Sequence, residues 1–137
     1  MEKFSISLGR VLLGLYFLLP GIFKIPTYEI TTEYMLLHNI PLASILLPVT
    51  IVLQIVLGFM LIISYRIKES ALILALLTIF INIGVHDFWN EYPNTDTEHE
   101  TQNFVKNLGI FAGLLVLSAT HKVSQWRFFP NSQAKKD

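Results

Sequence analysis

Five residues stand out because they are polar in apolar surroundings: Lys24, Asn82, His86, Lys106 and Asn107. Ammonium groups, a histidine and carboxamides in hydrocarbon must find partners or neutralise. Together they can hydrogen-bond a ligand's carbonyls, stabilise an anion, or pass a proton. His86 reads equally well as a hydrogen bond between helices, and Lys24 and Lys106 as anchors at a membrane surface. Arg10 and Gln54 form a second, deeper group: Arg10 as a cation reaching back to headgroups or contacting Gln54, and Gln54 as a helix–helix hydrogen bond or part of a polar cavity. No metal site is expected. A zinc set of His38, His86 and His99 has no supporting ligand spacing, and a haem lacks a second axial histidine at matching depth. Nothing in the sequence has the pattern of a nucleophile triad, a phosphate loop or a paired-carboxylate acid–base site, so chemistry here needs a bound cofactor or a partner.

The elements that must position these residues are unusually apolar. The chain of 137 residues is 53% hydrophobic and 15% charged, with a mean hydropathy of +0.53; soluble domains carry about a quarter charged residues. Near-continuous apolar runs cover 4–23, 42–64, 70–85 and 104–119, each close to the roughly 20 residues that cross a bilayer. Spans are expected at about 4–24, 42–64, 70–87 and 104–120, followed by a cytoplasmic tail at 121–137 with Trp126 as an interface anchor. Arg10 interrupts the first run and no small-residue cleavage site follows, so that run is expected to be retained rather than removed as a signal peptide. A net charge of zero gives no electrostatic case for nucleic acid, and the absence of cysteine excludes disulfides and thiol chemistry by this chain.

With a cytoplasmic N-terminus, Lys3, Arg10, Arg66, Lys68, Lys122, Arg127, Lys135 and Lys136 fall inside, against Lys24 and Lys106 outside. The positive-inside rule then places both termini in the cytoplasm. Glu29, Glu33, Asp87 and Glu100 fall outside and are available as counter-ions. Between the first two spans, IPTYEITTEYMLLHNIP has Ile30, Tyr34 and Leu37 on one helical face. It reads as a short amphipathic interfacial helix.

Each span carries a stripe of small or polar residues. Arg10, Gly14, Phe17, Gly21 and Lys24 share a face of the first. Ala43, Leu47, Thr50, Gln54 and Gly58 do so in the second, and Ala71, Ala75, Thr78, Asn82 and His86 in the third. The fourth aligns Gln102, Lys106, Gly109, Gly113, Val116 and Thr120, with Gly109 and Gly113 as a GxxxG pair. Such stripes pack inward in membranes. The expected fold class is therefore all-α: an integral membrane four-helix bundle, with Gly14, Gly21, Gly58, Gly109 and Gly113 as packing residues and a polar outer end.

The segments RVLLGLYFLLPGIFK, YM followed by NIP, HDFW and QNFVKNLGIFAGLLVL resemble the DoxX family of small four-span bacterial and archaeal membrane proteins. The likeness runs over roughly residues 8–120. Its most specific pieces are His86, Phe88, Trp89, Phe104, Lys106, Asn107 and Gly113. Where the second span of many members carries a glutamate, this chain has Gln54, which removes a titratable group. Family relatives include a subunit of a thiosulfate:quinone oxidoreductase. The resemblance therefore implies one domain in the bacterial inner membrane, serving a quinone-linked oxidoreductase system together with other membrane or periplasmic subunits. Its quinone would lie against His86, Lys106, Asn107, Asn82 and Lys24. The rival expectation is a non-catalytic assembly or stability factor that docks a partner through its acidic outer loop. A homo-oligomer is compatible with both.

Overall fold

A computed structural model describes residues 1–121, and among these there are five helices and no strand: α1 Glu2–Phe23, α2 Tyr28–Leu37, α3 Ala43–Ile62, α4 Ile67–Val85 and α5 Thr97–Ala119. The expected tail anchor around Trp126 lies outside the described residues. Helices α1, α3 and α4 are long and apolar enough to cross a membrane. Their outward faces carry large exposed apolar side chains, among them Leu12, Leu19, Val52, Val56, Leu76, Phe80 and Ile83. Such surfaces belong in lipid, and the protein is a membrane protein in contact with the bilayer. Helix α5 is not in that set, because Glu98, Glu100 and Lys106 interrupt its first half.

Helix boundaries follow local chemistry. Asp96 caps α5 by accepting from the Glu98 and His99 amides at 2.9 and 3.3 Å. The acids of the first turn, Glu98 and Glu100, suit the positive end of the helix dipole. Helix α5 thus starts at Thr97, two turns before the expected span, and this places Glu100 on the same face as Asn107. Helix α4 gives out at Val85, so His86 and Asp87 sit in a turn closed by Phe88 N–H to the His86 carbonyl at 3.0 Å and Asn90 N–H to Asp87 at 2.9 Å. Within that turn His86 reaches Glu100 and Asp87 reaches His38. The α3–α4 hairpin uses left-handed backbone at Ser64 and Arg66.

Helix α1 packs on α3 and α4 on α5, with α3 also against α4 and α2 against α3. One apolar cluster joins four helices through Phe17, Leu57, Leu61, Leu74, Leu114 and Leu117. A smaller one links α2 to α3 through Met35, Ala43, Leu47 and Ile51. In lipid no hydrophobic force drives helices together, so closeness of fit decides. Gly14 and Gly58 meet reciprocally: a Cβ on Gly14 would lie 2.7 Å from the Gly58 carbonyl oxygen, and one on Gly58 would lie 2.8 Å from that of Gly14. Gly21 is similarly tight, with Ile55 Cγ1 at 2.9 Å.

The predicted faces of α1, α3 and α4 are the buried ones; that of α5 is not. Lys106, Gly109 and Val116 are exposed, nothing lies within 4 Å of where a Gly109 Cβ would be, and Gly113 meets only Leu13 at an ordinary 3.9 Å. Helix α5 instead buries Glu100, Asn107, Leu114, Leu117 and Ser118. The small-residue signal misphased it, because α5 meets its neighbours through its own leucines, Glu100 and Asn107 rather than through a close backbone contact at its glycines. Helix α2 also turns differently from expectation: Met35 is buried while Ile30 is 70% exposed.

Candidate functional site

The polar residues sort into two ends of the helix assembly. At one end, where α1 runs beside the C-terminus of α3, Arg10 donates to the Leu61 and Ile62 carbonyls, the latter at 2.7 Å. Both carbonyls belong to the last turn of α3, at the negative pole of its dipole; that of Leu61 also accepts from the Ser64 amide at 3.3 Å. Arg10 therefore faces inward as a helix cap, and contacts neither Gln54 nor a headgroup by way of these bonds.

The other end contains a cavity of about 300 Å³, walled by all five helices. Its lining is mostly apolar, including Phe17, Met35, Leu47 and Ile81, with polar atoms from Lys24, Tyr34, Gln54, His86 and Asn107. Pro20, which cannot donate to the carbonyl four residues earlier, lines it too, and Lys24 Nζ approaches the Pro20 carbonyl at 3.5 Å. Gln54 is 6% exposed and its Oε1 has no hydrogen-bond partner. A second, more open groove of about 460 Å³ is lined by Asn103, Lys106 and Gly109, and shares Tyr16, His86 and Asn107 with the first. Tyr16 donates to Asn107 Oδ1 at 3.0 Å across the shared wall.

Two carboxylate–histidine pairs close this end. Glu100 takes a hydrogen bond from the Tyr34 hydroxyl at 2.6 Å on one oxygen, and its other oxygen lies 2.6 Å from His86 Nδ1. Asp87 lies 2.8 Å from His38 Nδ1 and accepts from Asn90 at 2.7 Å and Tyr92 at 2.6 Å. The Tyr34 and His38 rings, 4.6 Å apart, join the pairs, and Tyr92 stacks on the far side of His38 at 4.3 Å. Burial by itself would raise both carboxyls. The hydrogen bonds from Tyr34 and His86 to Glu100, and from Asn90, Tyr92 and His38 to Asp87, outweigh it and hold both below the ordinary carboxylate range. The Tyr34 phenol is pushed well up, first by burial and then by Glu100, so it remains a donor.

Of the expected ligand-facing residues, Lys24, His86 and Asn107 come together at the cavity. Lys106 lies apart, exposed in the outer groove. Asn82 does not reach the cavity; 1% exposed, it donates to the Phe104 carbonyl at 3.1 Å and ties α4 to α5. The counter-ions are also reassigned. Glu29 and Glu33 are exposed, while Asp87 and Glu100 engage histidines rather than lysines. Sequence reasoning missed Tyr16, Tyr34 and His38 as members of this site. The sequence pattern groups Tyr34 with Ile30 and Leu37 on one face of α2 and offers His38 only as a zinc candidate without supporting spacing. The available signal was the spacing of Thr31, Met35 and His38, one face of a short helix. Trp89 is half exposed and packs edge-on against Phe88 and Phe104.

The DoxX family model matches residues 5–87, more than half of the chain, and the chain belongs to the DoxX family. The match spans α1 to the end of α4 and includes His86, but not α5, over which the expected likeness also ran. No curated protein and no solved structure matches the chain.

Proposed function

We propose that this DoxX-family chain is a four-span bacterial inner-membrane subunit that binds a quinone head group for a membrane oxidoreductase system. In this reading α5 is the fourth span, both termini are cytoplasmic, and the His86 end faces outward. The observation that carries it is Gln54: a buried carboxamide oxygen without a partner, bordering a cavity that Lys24 and His86 also line. An unsatisfied buried acceptor costs about 1–3 kcal/mol, which a ligand's polar group would recover. The cavity is at the small end of ligand sites and has room for one substituted ring, with its tail in lipid. A quinone supplies the two-electron chemistry that no side chain here performs. The chain's own contribution is to orient that ring through Lys24, Gln54 and His86, and to connect His86 to the loop through Glu100 and Tyr34.

The test is mass spectrometry of lipids and proteins that co-purify with the tagged chain, gently solubilised from its native membrane. Quinone recovered in near-stoichiometric amount, and lost in Gln54→Leu, supports the reading. A recurring partner without any quinone, lost when residues 91–96 are deleted, would favour the docking role. Asp87 and Glu100 are already paired within the chain, so a partner would meet chiefly Glu91, Asp96 and Glu98, which are exposed.

A further inference from the structure

His86 and Glu100 carry a consequence for which form of ligand the cavity takes. Glu100 is 7% exposed and its carboxylate is in contact with two donors, Tyr34 and His86. An ionised carboxylate only accepts hydrogen bonds. The hydrogen between Glu100 Oε2 and His86 Nδ1 therefore sits on the histidine, and in the neutral ring that tautomer carries its lone pair on Nε2. That nitrogen has no partner among the described residues, and His86 borders both the cavity and the groove. Gln54, whose buried Oε1 has no partner, lines the same cavity. Other polar groups facing this space include Lys24 and Tyr16 from α1, Tyr34 from α2, Thr50 from α3 and Asn107 from α5. Tyr16 donates to Asn107 and Tyr34 to Glu100, whereas the Lys24 ammonium bonds no side chain and reaches only the Pro20 carbonyl, at 3.5 Å.

We propose that Glu100 is a positioning residue which makes His86 Nε2 a hydrogen-bond acceptor, so that the cavity selects a lipophilic head group bearing a hydroxyl. Resting on the quinone reading, this makes the preferred occupant the hydroquinone rather than the quinone. A hydroxyl donates to Nε2 and still accepts from Lys24. A carbonyl in the same place sets acceptor against acceptor and leaves Nε2 unpaired, the kind of mismatch by which buried polar sites reject close analogues.

The experiment is equilibrium binding of a short-chain benzoquinone and its chemically reduced hydroquinone to the full chain in detergent, with nitrogen NMR of the histidines alongside. Hydroquinone should bind about tenfold more tightly, equivalent to one neutral hydrogen bond. Glu100→Gln keeps the shape, removes the charge, and should abolish most of that preference. Tyr34→Phe leaves the carboxylate in place and should retain it. The wild-type His86 resonances should report hydrogen on Nδ1, a readout independent of whether either variant folds. Equal affinity for both forms, a preference untouched by Glu100→Gln, or hydrogen found on Nε2 would each overturn the positioning role while leaving quinone binding intact. Binding of neither form by wild type would remove the quinone reading itself and this inference with it.

Discussion

The two ends of this helix assembly solve the problem of polar groups in hydrocarbon in opposite ways. At the Arg10 end the helices are tightly packed. Gly14 and Gly58 bring α1 and α3 backbones into contact, Leu61, Leu74 and Leu114 are fully buried, and Arg10 is spent on two helix-terminal carbonyls. At the His86 end a cavity remains, walled by Lys24, Gln54 and His86, and its carboxylates are held by histidines and tyrosines. The first arrangement satisfies its buried guanidinium by completing backbone hydrogen bonds. The second completes some groups and leaves Gln54 and His86 with open valences, which is what a binding site requires. Packing and recognition are therefore separated along the same helices.

That contrast can be broken at several points. The largest effect is expected from Gly14→Leu, whose side chain must enter space occupied by the Gly58 carbonyl and Ile62. A loss of about 3 kcal/mol or more is expected from overpacking, read as a lowered unfolding midpoint in detergent. Arg10→Met should cost about 2 kcal/mol, since it leaves the Leu61 and Ile62 carbonyls without their charged donor. Unfolding of the variant in denaturant, followed by circular dichroism, gives that number directly.

The ends should also separate by pH. Both Asp87 and Glu100 have folded-state carboxyls held below their ordinary values. Such groups stabilise the fold above the ordinary carboxylate range, and that stabilisation disappears as pH falls through the depressed values. Acid should thus release the amides of α2 and the 86–96 turn while the Gly14–Gly58 contact stays protected. Hydrogen exchange resolved along the sequence at neutral and acidic pH measures this; equal loosening at both ends would contradict it. The smallest effect belongs to Gly109→Ala. With open space at its Cβ position, the change should be neutral or stabilise by up to about 1 kcal/mol through helix propensity, whereas Gly14→Ala at the tight contact should destabilise.

The Arg10 end was largely legible in the sequence. Stripes of glycine and alanine at helical spacing on α1, α3 and α4 are a strong signal, because only a close backbone contact gives a reason for them. The His86 end was legible as a collection but not as an arrangement. Lys24, His86 and Asn107 were foreseen as neighbours. Their partners were not, because Glu100 depends on α5 starting at Asp96, and His38 depends on the rotation of a ten-residue helix with little apolar contrast. Helix α5 was misread for a related reason. Its glycines imitate a packing stripe, yet its buried face is set by Glu100 and Asn107, whose partners lie on other elements and leave no periodic trace.

The measurement that tests the central claim most directly is thermal unfolding of the full chain with and without a short-chain hydroquinone, in wild type and in Thr50→Leu. Thr50 borders the cavity at the His86 end, and a leucine there fills space without touching the Arg10 end. The account predicts a concentration-dependent rise in midpoint for wild type, equivalent to about 2.7 kcal/mol at a hundredfold excess over Kd, and a much smaller rise for Thr50→Leu from an unchanged or higher starting midpoint. Equal stabilisation of both proteins, or of neither, would contradict it.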